Sequence, residues 1–175
     1  MRGQKAFTLI ELLSSMVLLA VLSAVAIPVY VDLQAAAEQA QVKSVAASLE
    51  RGMQSVRTSW IIQGAQGDGS NSRVDIDVGG VPVRFRNGLP VNVNSSVHVP
   101  AGTPNRDTAS SKLFHLFLSS TPEVVSRDSN DTGWTMLANR SCVLVTRPRC
   151  WEYRRGGQRI ARVTYSGQTG EFFID

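Results

Sequence analysis

The chain has few of the residues that most often carry enzyme chemistry. It contains only two histidines, His98 and His115, and only two cysteines, Cys142 and Cys150. His115 lies in an apolar run between Leu113 and Leu118, where a structural role is the commoner interpretation. The sequence shows neither a catalytic arrangement of nucleophile and base nor a glycine-rich phosphate-binding loop. We therefore expect a protein that is not an enzyme and that needs no cofactor.

The two cysteines do not form a recognisable metal or redox motif. Zinc binding needs more ligands than two thiols, and neither histidine lies at finger-like spacing. Cys142 and Cys150 are also too far apart for a Cys-x-x-Cys redox pair. In an exported chain an even pair of cysteines indicates a disulfide. The loop that it would close is short, so we expect a stabilisation of about 2–3 kcal/mol.

One polar segment is similar to the start of a calcium-binding loop. Asp128, Asn130 and Thr132 place oxygen atoms at loop positions one, three and five, and Gly133 follows at position six. The twelfth position of such a loop should be a bidentate glutamate, but Asn139 is found there. A polar turn is the alternative interpretation, and we expect no metal site.

The most prominent feature of the chain is a long apolar run near its start. Residues 1–6 include Arg2 and Lys5 and no acid, and residues 12–31 carry no charge. A helix of about 20 residues is long enough to cross one bilayer. The basic leader favours the cytoplasmic side of the membrane. Glu11 stands at the edge of the run, where a lone carboxylate is costly enough to indicate a function.

An ordinary cleaved secretory signal is an alternative interpretation of this N-terminus. Ala24 and Ala26 form a small-residue pair of the kind found at such cleavage sites. The order of the elements argues against this alternative, because the apolar run begins almost at the first residue and has Glu11 in its first turns.

A second helical segment follows the apolar run. Between residues 32 and 63 the composition shifts to Ala, Gln, Glu, Lys and Ser. Apolar residues recur there at spacings of three and four, at Val42, Val45, Leu49, Met53, Val56 and Trp60. This pattern predicts an amphipathic continuation of the same helix, packed against a folded domain. Gly52 interrupts it at a cost of about 1 kcal/mol. Pro28, inside the first half, predicts a kink or local melting near Ala24 and Val25.

Beyond residue 64 the apolar period changes to two, which predicts strands. Asn87-Gly88 and Gly156-Gly157 are typical of tight turns. Strands are predicted around Val74–Val78 and Val81–Phe85, and at Cys142–Thr146, Trp151–Arg154, Arg159–Tyr165 and Glu171–Ile174. One or two further short extended pieces are predicted at Val91, Val93, Val97 and Val99. Ser111 is expected to cap a short helix between them. The predicted fold class is α+β: one long N-terminal helix, membrane-spanning in its first half and amphipathic in its second, packed on a C-terminal antiparallel β-sheet head.

The N-terminal sequence resembles the processing site and first helix of type IV pilins and pseudopilins. The resemblance is carried by Phe7-Thr8-Leu9-Ile10-Glu11-Leu12-Leu13 and by Ala26-Ile27-Pro28-Val29-Tyr30. It implies that a prepilin peptidase cuts between Ala6 and Phe7 and methylates the new amine. It also implies that Glu11 pairs with the N-terminal amine of a neighbouring subunit, which replaces two costly lone charges, and that a bend at Pro28 lets the helix curve within a fibre. The family usually has Gly before the cut, so Ala6 predicts slower processing.

A wider resemblance is to pilins of the mannose-sensitive haemagglutinin type. It rests on Asp32-Leu33-Gln34, Trp60 to Gly64, Asn87-Gly88-Leu89-Pro90, Val163-Thr164-Tyr165 and Thr169-Gly170-Glu171-Phe172. In type IV pilins a C-terminal bridge such as Cys142–Cys150 pins the last strands. The implied division is a leader at residues 1–6, a fibre-core helix at 7–31, its amphipathic half at 32–63 and a head at 64–175.

The resemblance implies a structural subunit, major or minor, of a type IV pilus-like fibre with roles in adhesion, motility or surface attachment. The precursor would lie in the inner membrane, and the assembled subunit would be extracellular. Its partners would be other pilin subunits, the prepilin peptidase and the inner-membrane assembly machinery. One alternative is a periplasmic pseudopilin of a type II secretion or DNA-uptake machine. Another is a binding domain on a simple membrane anchor.

Arginines are concentrated in the predicted C-terminal hairpin, at Arg147, Arg149, Arg154, Arg155, Arg159 and Arg162. Trp151 and Tyr153 are interleaved with them, and Glu152 is the local counter-charge. Arginines and aromatic rings displayed together could bind phosphates and stack on bases, which makes DNA a candidate partner. We favour the alternative of a solvated face or of salt bridges to neighbouring subunits. The net charge of +4 also falls to +2 once Arg2 and Lys5 are removed with the leader.

Overall fold

The computed structural model describes residues 8–64, 73–95, 99–137 and 148–175. In these ranges the elements are α1 (Leu9–Ile62), β1 (Arg73–Val78), β2 (Val81–Arg86), β3 (Leu89–Val93), α2 (Ala109–Phe117), β4 (Gly133–Met136), β5 (Pro148–Arg155), β6 (Gln158–Ser166) and β7 (Phe172–Ile174). The chain divides into an N-terminal unit, Met1–Gln41, and a C-terminal unit, Val42–Asp175. The α+β class, with a long N-terminal helix followed by antiparallel strands, is confirmed.

The N-terminal unit contains the apolar part of α1. Its large apolar side chains are exposed, from 80% at Leu9 to 54% at Val29. The helix continues through Pro28, and Ala24 and Val25 remain helical. Pro28 therefore does not melt the helix locally in the single chain. A kink at this position stays a prediction.

In the C-terminal unit, one face of α1 forms part of the core. Its buried residues are Val42, Ala46, Leu49, Met53 and Val56, while Val45 and Trp60 are partly buried against the same cluster. The predicted apolar stripe is thus confirmed, with Ala46 added to it. Because these residues recur at spacings of three and four, they all lie on one side of the helix.

The head contains two antiparallel sheets where the sequence predicted one. The first sheet has the order β1-β2-β3 and the second the order β4-β5-β6-β7. The chain between β3 and β4 includes α2, so β4 begins a new sheet instead of extending the first. β4 itself was missed, since its four residues are all buried and show no alternation of period two.

The remaining elements follow the sequence closely. β5 and β6 include the predicted strands Trp151–Arg154 and Arg159–Tyr165, whereas the strand predicted at Cys142–Thr146 lies outside the described residues. Asn87 and Gly88 have φ angles of 50° and 74°, as a two-residue hairpin turn requires. The cap of α2 was predicted wrongly. Thr108 is the N-cap, and its hydroxyl accepts a 3.2 Å hydrogen bond from the Ser111 amide.

Aromatic side chains fill the space between α2 and the second sheet. Phe114 lies with its ring centroid 5.6 Å from that of Trp151 and 5.7 Å from that of Trp134. The indole nitrogen of Trp151 donates a 2.8 Å hydrogen bond to the carbonyl of Ser110. This contact ties the first turn of α2 to the centre of β5.

Candidate assembly site

Thr8 and Glu11 form a reciprocal cap at the start of α1. The Thr8 amide and hydroxyl both donate to Oε2 of Glu11, at 3.0 Å and 2.9 Å. In return, the Glu11 amide approaches the Thr8 hydroxyl at 3.4 Å. This is the arrangement of a capping box, which satisfies amides that a helix N-terminus otherwise leaves unpaired. The Thr-x-x-Glu spacing before an apolar run was the available signal, and the sequence reasoning did not use it.

The capping box gives Glu11 polar contacts within its own chain. One carboxylate oxygen accepts two hydrogen bonds from Thr8, so the acid at the edge of the apolar run has bonding partners before any subunit meets it. Ala6 and Phe7 lie outside the described residues. The cut between them, and the pairing of Glu11 with a neighbouring amine, therefore stay predictions.

The hydroxyl groups in the next turn are also satisfied internally. Ser14 donates to the Glu11 carbonyl at 3.0 Å, and Ser15 donates to the same carbonyl at 2.9 Å. Serine hydroxyls bonded to their own helix present little unpaired polarity to an apolar environment. By length and composition α1 could cross a membrane, with a mean hydropathy of 2.4 in its most apolar stretch. Pro28 lies within this exposed apolar part, and its role in assembly stays a prediction.

Three of the candidate arginines surround one buried acid. The Glu152 side chain is only 4% exposed and accepts hydrogen bonds of 2.7 Å from Arg162 and 3.1 Å from Arg154. A guanidinium nitrogen of Arg159 lies 3.9 Å from it. Burial alone would raise the pKa of Glu152, but the hydrogen bonds and charges of Arg162 and Arg154 outweigh it and hold that pKa below its ordinary value. The cluster keeps Glu152 ionised.

The aromatic residues of β5 are not displayed together with its arginines. Trp151 and Tyr153 are 0% and 4% exposed and belong to the core. Neighbouring residues of a strand point to opposite faces, so these two rings lie on the face of β5 opposite Glu152 and Arg154. No ring from this strand is available for a base to stack on.

The other candidate arginines have different positions. Arg149 is buried and donates 2.8 Å and 3.1 Å hydrogen bonds to the carbonyls of Val91 and Pro148. Arg155 is exposed at the end of β5, and Arg147 lies outside the described residues. Arg149, Arg154 and Arg162 thus have contacts within the head, which weakens the case for an anion-binding or DNA-binding site here.

The segment from Asp128 to Gly133 has the bonds of a polar turn. Ser129 donates its hydroxyl proton to the Asp131 carboxylate, and the Asp131 amide donates to the Ser129 hydroxyl at 3.0 Å. Across the described ranges, no group of three His, Cys, Asp or Glu residues is placed to hold a metal ion. Asn130 instead lies against the β5–β6 turn, where a Cβ on Gly157 would be 3.0 Å from its side-chain oxygen.

The predicted disulfide falls partly outside the described residues. Cys150 is fully buried in β5, beside Leu137, and Cys142 is not among the residues that the structure describes. The bridge therefore stays a prediction, which the mass of the unreduced protein after thiol alkylation would check.

Comparison with known families places a motif on the N-terminus. The prokaryotic N-terminal methylation motif matches residues 1–27. No curated protein and no solved structure matches the chain, so the wider resemblance to mannose-sensitive haemagglutinin pilins stays a prediction. Through the methylation motif, followed by one long apolar helix and an antiparallel head, the chain carries the signature of the type IV pilins and pseudopilins.

Proposed function

We propose that the chain is a structural subunit of a type IV pilus-like fibre, polymerised through the apolar half of α1. The observation that carries this proposal is the exposure of that half beside the methylation motif. Large apolar side chains from Leu9 to Leu33 are more than half exposed, and the motif covers residues 1–27. An exposed apolar surface of this length indicates contact with a membrane or with other protein chains. In the precursor the bilayer shields this surface from water, and in the fibre the helices of other subunits do so.

Processing at the N-terminus prepares the helix for assembly. The prepilin peptidase cuts between Ala6 and Phe7 and methylates the new amine. In the fibre, the ammonium group of Phe7 from one subunit meets the Glu11 carboxylate of its neighbour. The attraction is strong because both charges lie in a medium of low dielectric constant. The same carboxylate is bonded to Thr8 in the single chain, so assembly adds a cation to an acid that is already oriented.

The first experiment is to shear cells and analyse the released fibres by mass spectrometry. We expect abundant protein that begins at methylated Phe7. Mature protein that stays entirely with the cells would instead favour the pseudopilin, which shares the methylation motif. An intact Met1 terminus would contradict both and leave a head on a simple membrane anchor.

A pair of variants tests the role of Glu11. Glu11→Ala should abolish fibre formation and leave the head folded, because Glu11 lies outside the C-terminal unit. Glu50→Ala is the matched control, since Glu50 is an exposed acid on the amphipathic half of the same helix and should leave assembly unchanged. Normal piliation in Glu11→Ala would remove the proposed role.

A further inference from the structure

A groove of about 800 Å³ opens along α1 within the C-terminal unit. Val45 on the helix, Val78 at the end of β1 and Leu116 in α2 contribute apolar surface to it. Ser48 and Ser120 add hydroxyl groups from its two sides. The groove is therefore concave and has a mixed apolar and polar lining.

Arg51 gives this groove its charge. Arg51 is the one charged side chain among the described residues that line the groove, and none of them is acidic. Its Nε atom donates a 3.2 Å hydrogen bond to the carbonyl of Ala47, which anchors the side chain to the helix while the residue stays exposed. A partner for this groove should therefore combine apolar side chains with a carboxylate.

β7, in the same C-terminal unit, carries this combination of apolar and acidic side chains. It is the last strand of the second sheet, and within the described part of the chain it pairs with β6 alone. Phe173 and Ile174 are 41% and 50% exposed, and the exposed acids Glu171 and Asp175 flank the strand. An exposed apolar edge strand is a ready surface for association with another chain.

We infer that the groove along α1 of one subunit receives the β7 edge of another copy of this chain. Glu171, Phe173 and Asp175 alternate along the strand and so lie on one face of it. On docking, the groove covers Phe173 and Arg51 meets the acids beside it. The two surfaces differ, so each subunit offers its groove to one neighbour and its β7 edge to another. Such a heterologous contact builds an open helical filament unless its rotation closes a ring. The inference rests on the proposed function, because it names the head-to-head contact of that fibre.

Cross-linking in intact fibres tests the contact directly. The full-length double variant Ser120→Cys/Phe173→Cys is expressed in cells and treated with a short bismaleimide. We expect a ladder of cross-linked subunits, and only dimers when the two single variants are mixed. In the matched control the first cysteine is placed at position 54 instead of position 120. Gln54 is exposed on α1 and does not line the groove. Gln54→Cys/Phe173→Cys should give no ladder, and neither should the unmodified chain.

A charge exchange provides a second readout. Arg51→Glu should lower the yield of sheared fibres about tenfold, because like charges then meet at every subunit contact. Reversing Glu171 and Asp175 to Lys in the same chain should restore the yield. Arg57→Glu is the control, since Arg57 is exposed and lies about 120° around the helix from Arg51.

The outcomes separate this inference from the proposed function. Fibres that form normally but give no ladder, or that are unaffected by Arg51→Glu, overturn the groove contact and leave the pilin assignment standing. A wild-type chain that forms no fibre overturns the proposed function and the contact together. A ladder that also appears with Gln54→Cys shows non-specific contact and overturns the inference.

Discussion

Tyr165 and Pro90 join the two sheets of the head through one buried hydrogen bond. The Tyr165 hydroxyl, on β6, donates to the Pro90 carbonyl, on β3, at a distance of 3.0 Å. Tyr165 is fully buried, and this burial raises the pKa of its hydroxyl above the ordinary value. The hydroxyl therefore keeps its proton and remains a donor. Arg149 makes a parallel link to the neighbouring carbonyl of Val91.

Tyr165→Phe should destabilise the head by about 1–3 kcal/mol, because it leaves the buried Pro90 carbonyl without its donor. The measurement is denaturant unfolding of the full-length protein in detergent, followed by tryptophan fluorescence. Tyr30→Phe is the control, since Tyr30 is 69% exposed in the N-terminal unit. Equal stabilities of the two variants would show that the bond between the sheets contributes nothing.

Gly52→Ala should also destabilise the head, although alanine is the better helix former. A Cβ at this position would lie 1.9 Å from the carbonyl oxygen of Phe117. Relieving that overlap must move α2 away from α1, at a cost of about 1–3 kcal/mol, which exceeds the gain of about 1 kcal/mol in helix propensity. Thr58→Ala, at an exposed position of α1, should stay within about 0.5 kcal/mol of the wild type. A Gly52→Ala protein more stable than wild type would contradict this close contact.

The long helix and most strands could be predicted from the sequence because their signals are local. A charge-free run, an apolar stripe of period near four and Asn-Gly or Gly-Gly turns each depend on residues close in the chain. The role of Gly52 could not be predicted in this way. The sequence shows only a residue with poor helix propensity, whereas its reason is the contact with Phe117, 65 positions away.

The arrangement of the charged hairpin could be predicted only in part, for a related reason. The sequence shows Arg and aromatic residues side by side, and strand alternation alone could have separated Trp151 from Arg154. That three arginines converge on Glu152 depends on the pairing of β5 with β6, in which Glu152 stands opposite Arg162. The capping box, in contrast, could have been predicted from the sequence. The spacing of Thr8 and Glu11 is typical of such a box, but Glu11 was interpreted only as an assembly residue and not as a helix cap.

The Glu152 cluster should make the stability of the head depend on pH on the acid side. The arginines hold the pKa of Glu152 below its ordinary value, so the folded state binds this proton less readily than the unfolded state. The stabilisation is therefore fully present above the unfolded pKa, about 4.3, and is lost as the pH falls through the lower folded pKa. Unfolding free energies measured between neutral pH and pH 3 should decline below about pH 4.

Two substitutions of Glu152 separate its charge from its packing. Glu152→Gln keeps the shape, removes the titrating group and should flatten the decline in stability at acid pH. Glu152→Ala removes the partner of the partly buried guanidinium groups of Arg154 and Arg162 and should cost about 1.5–3 kcal/mol at neutral pH. Parallel pH profiles for the wild type and Glu152→Gln would show that the acid response arises elsewhere. Asp75, whose pKa is lowered by its hydrogen bond from Arg84, is the next carboxylate to examine.

Thr8→Val should loosen the first turn of α1 and leave the head unchanged. Valine has nearly the shape of threonine but lacks the hydroxyl that donates to Glu11 and accepts from its amide. Loss of an N-cap costs about 1 kcal/mol, so hydrogen exchange at the amides of Glu11 and Leu12 should become about fivefold faster in lipid nanodiscs. Thr8→Ser keeps the hydroxyl and should exchange like the wild type. Identical exchange in Thr8→Val would show that the hydroxyl does not hold the helix end.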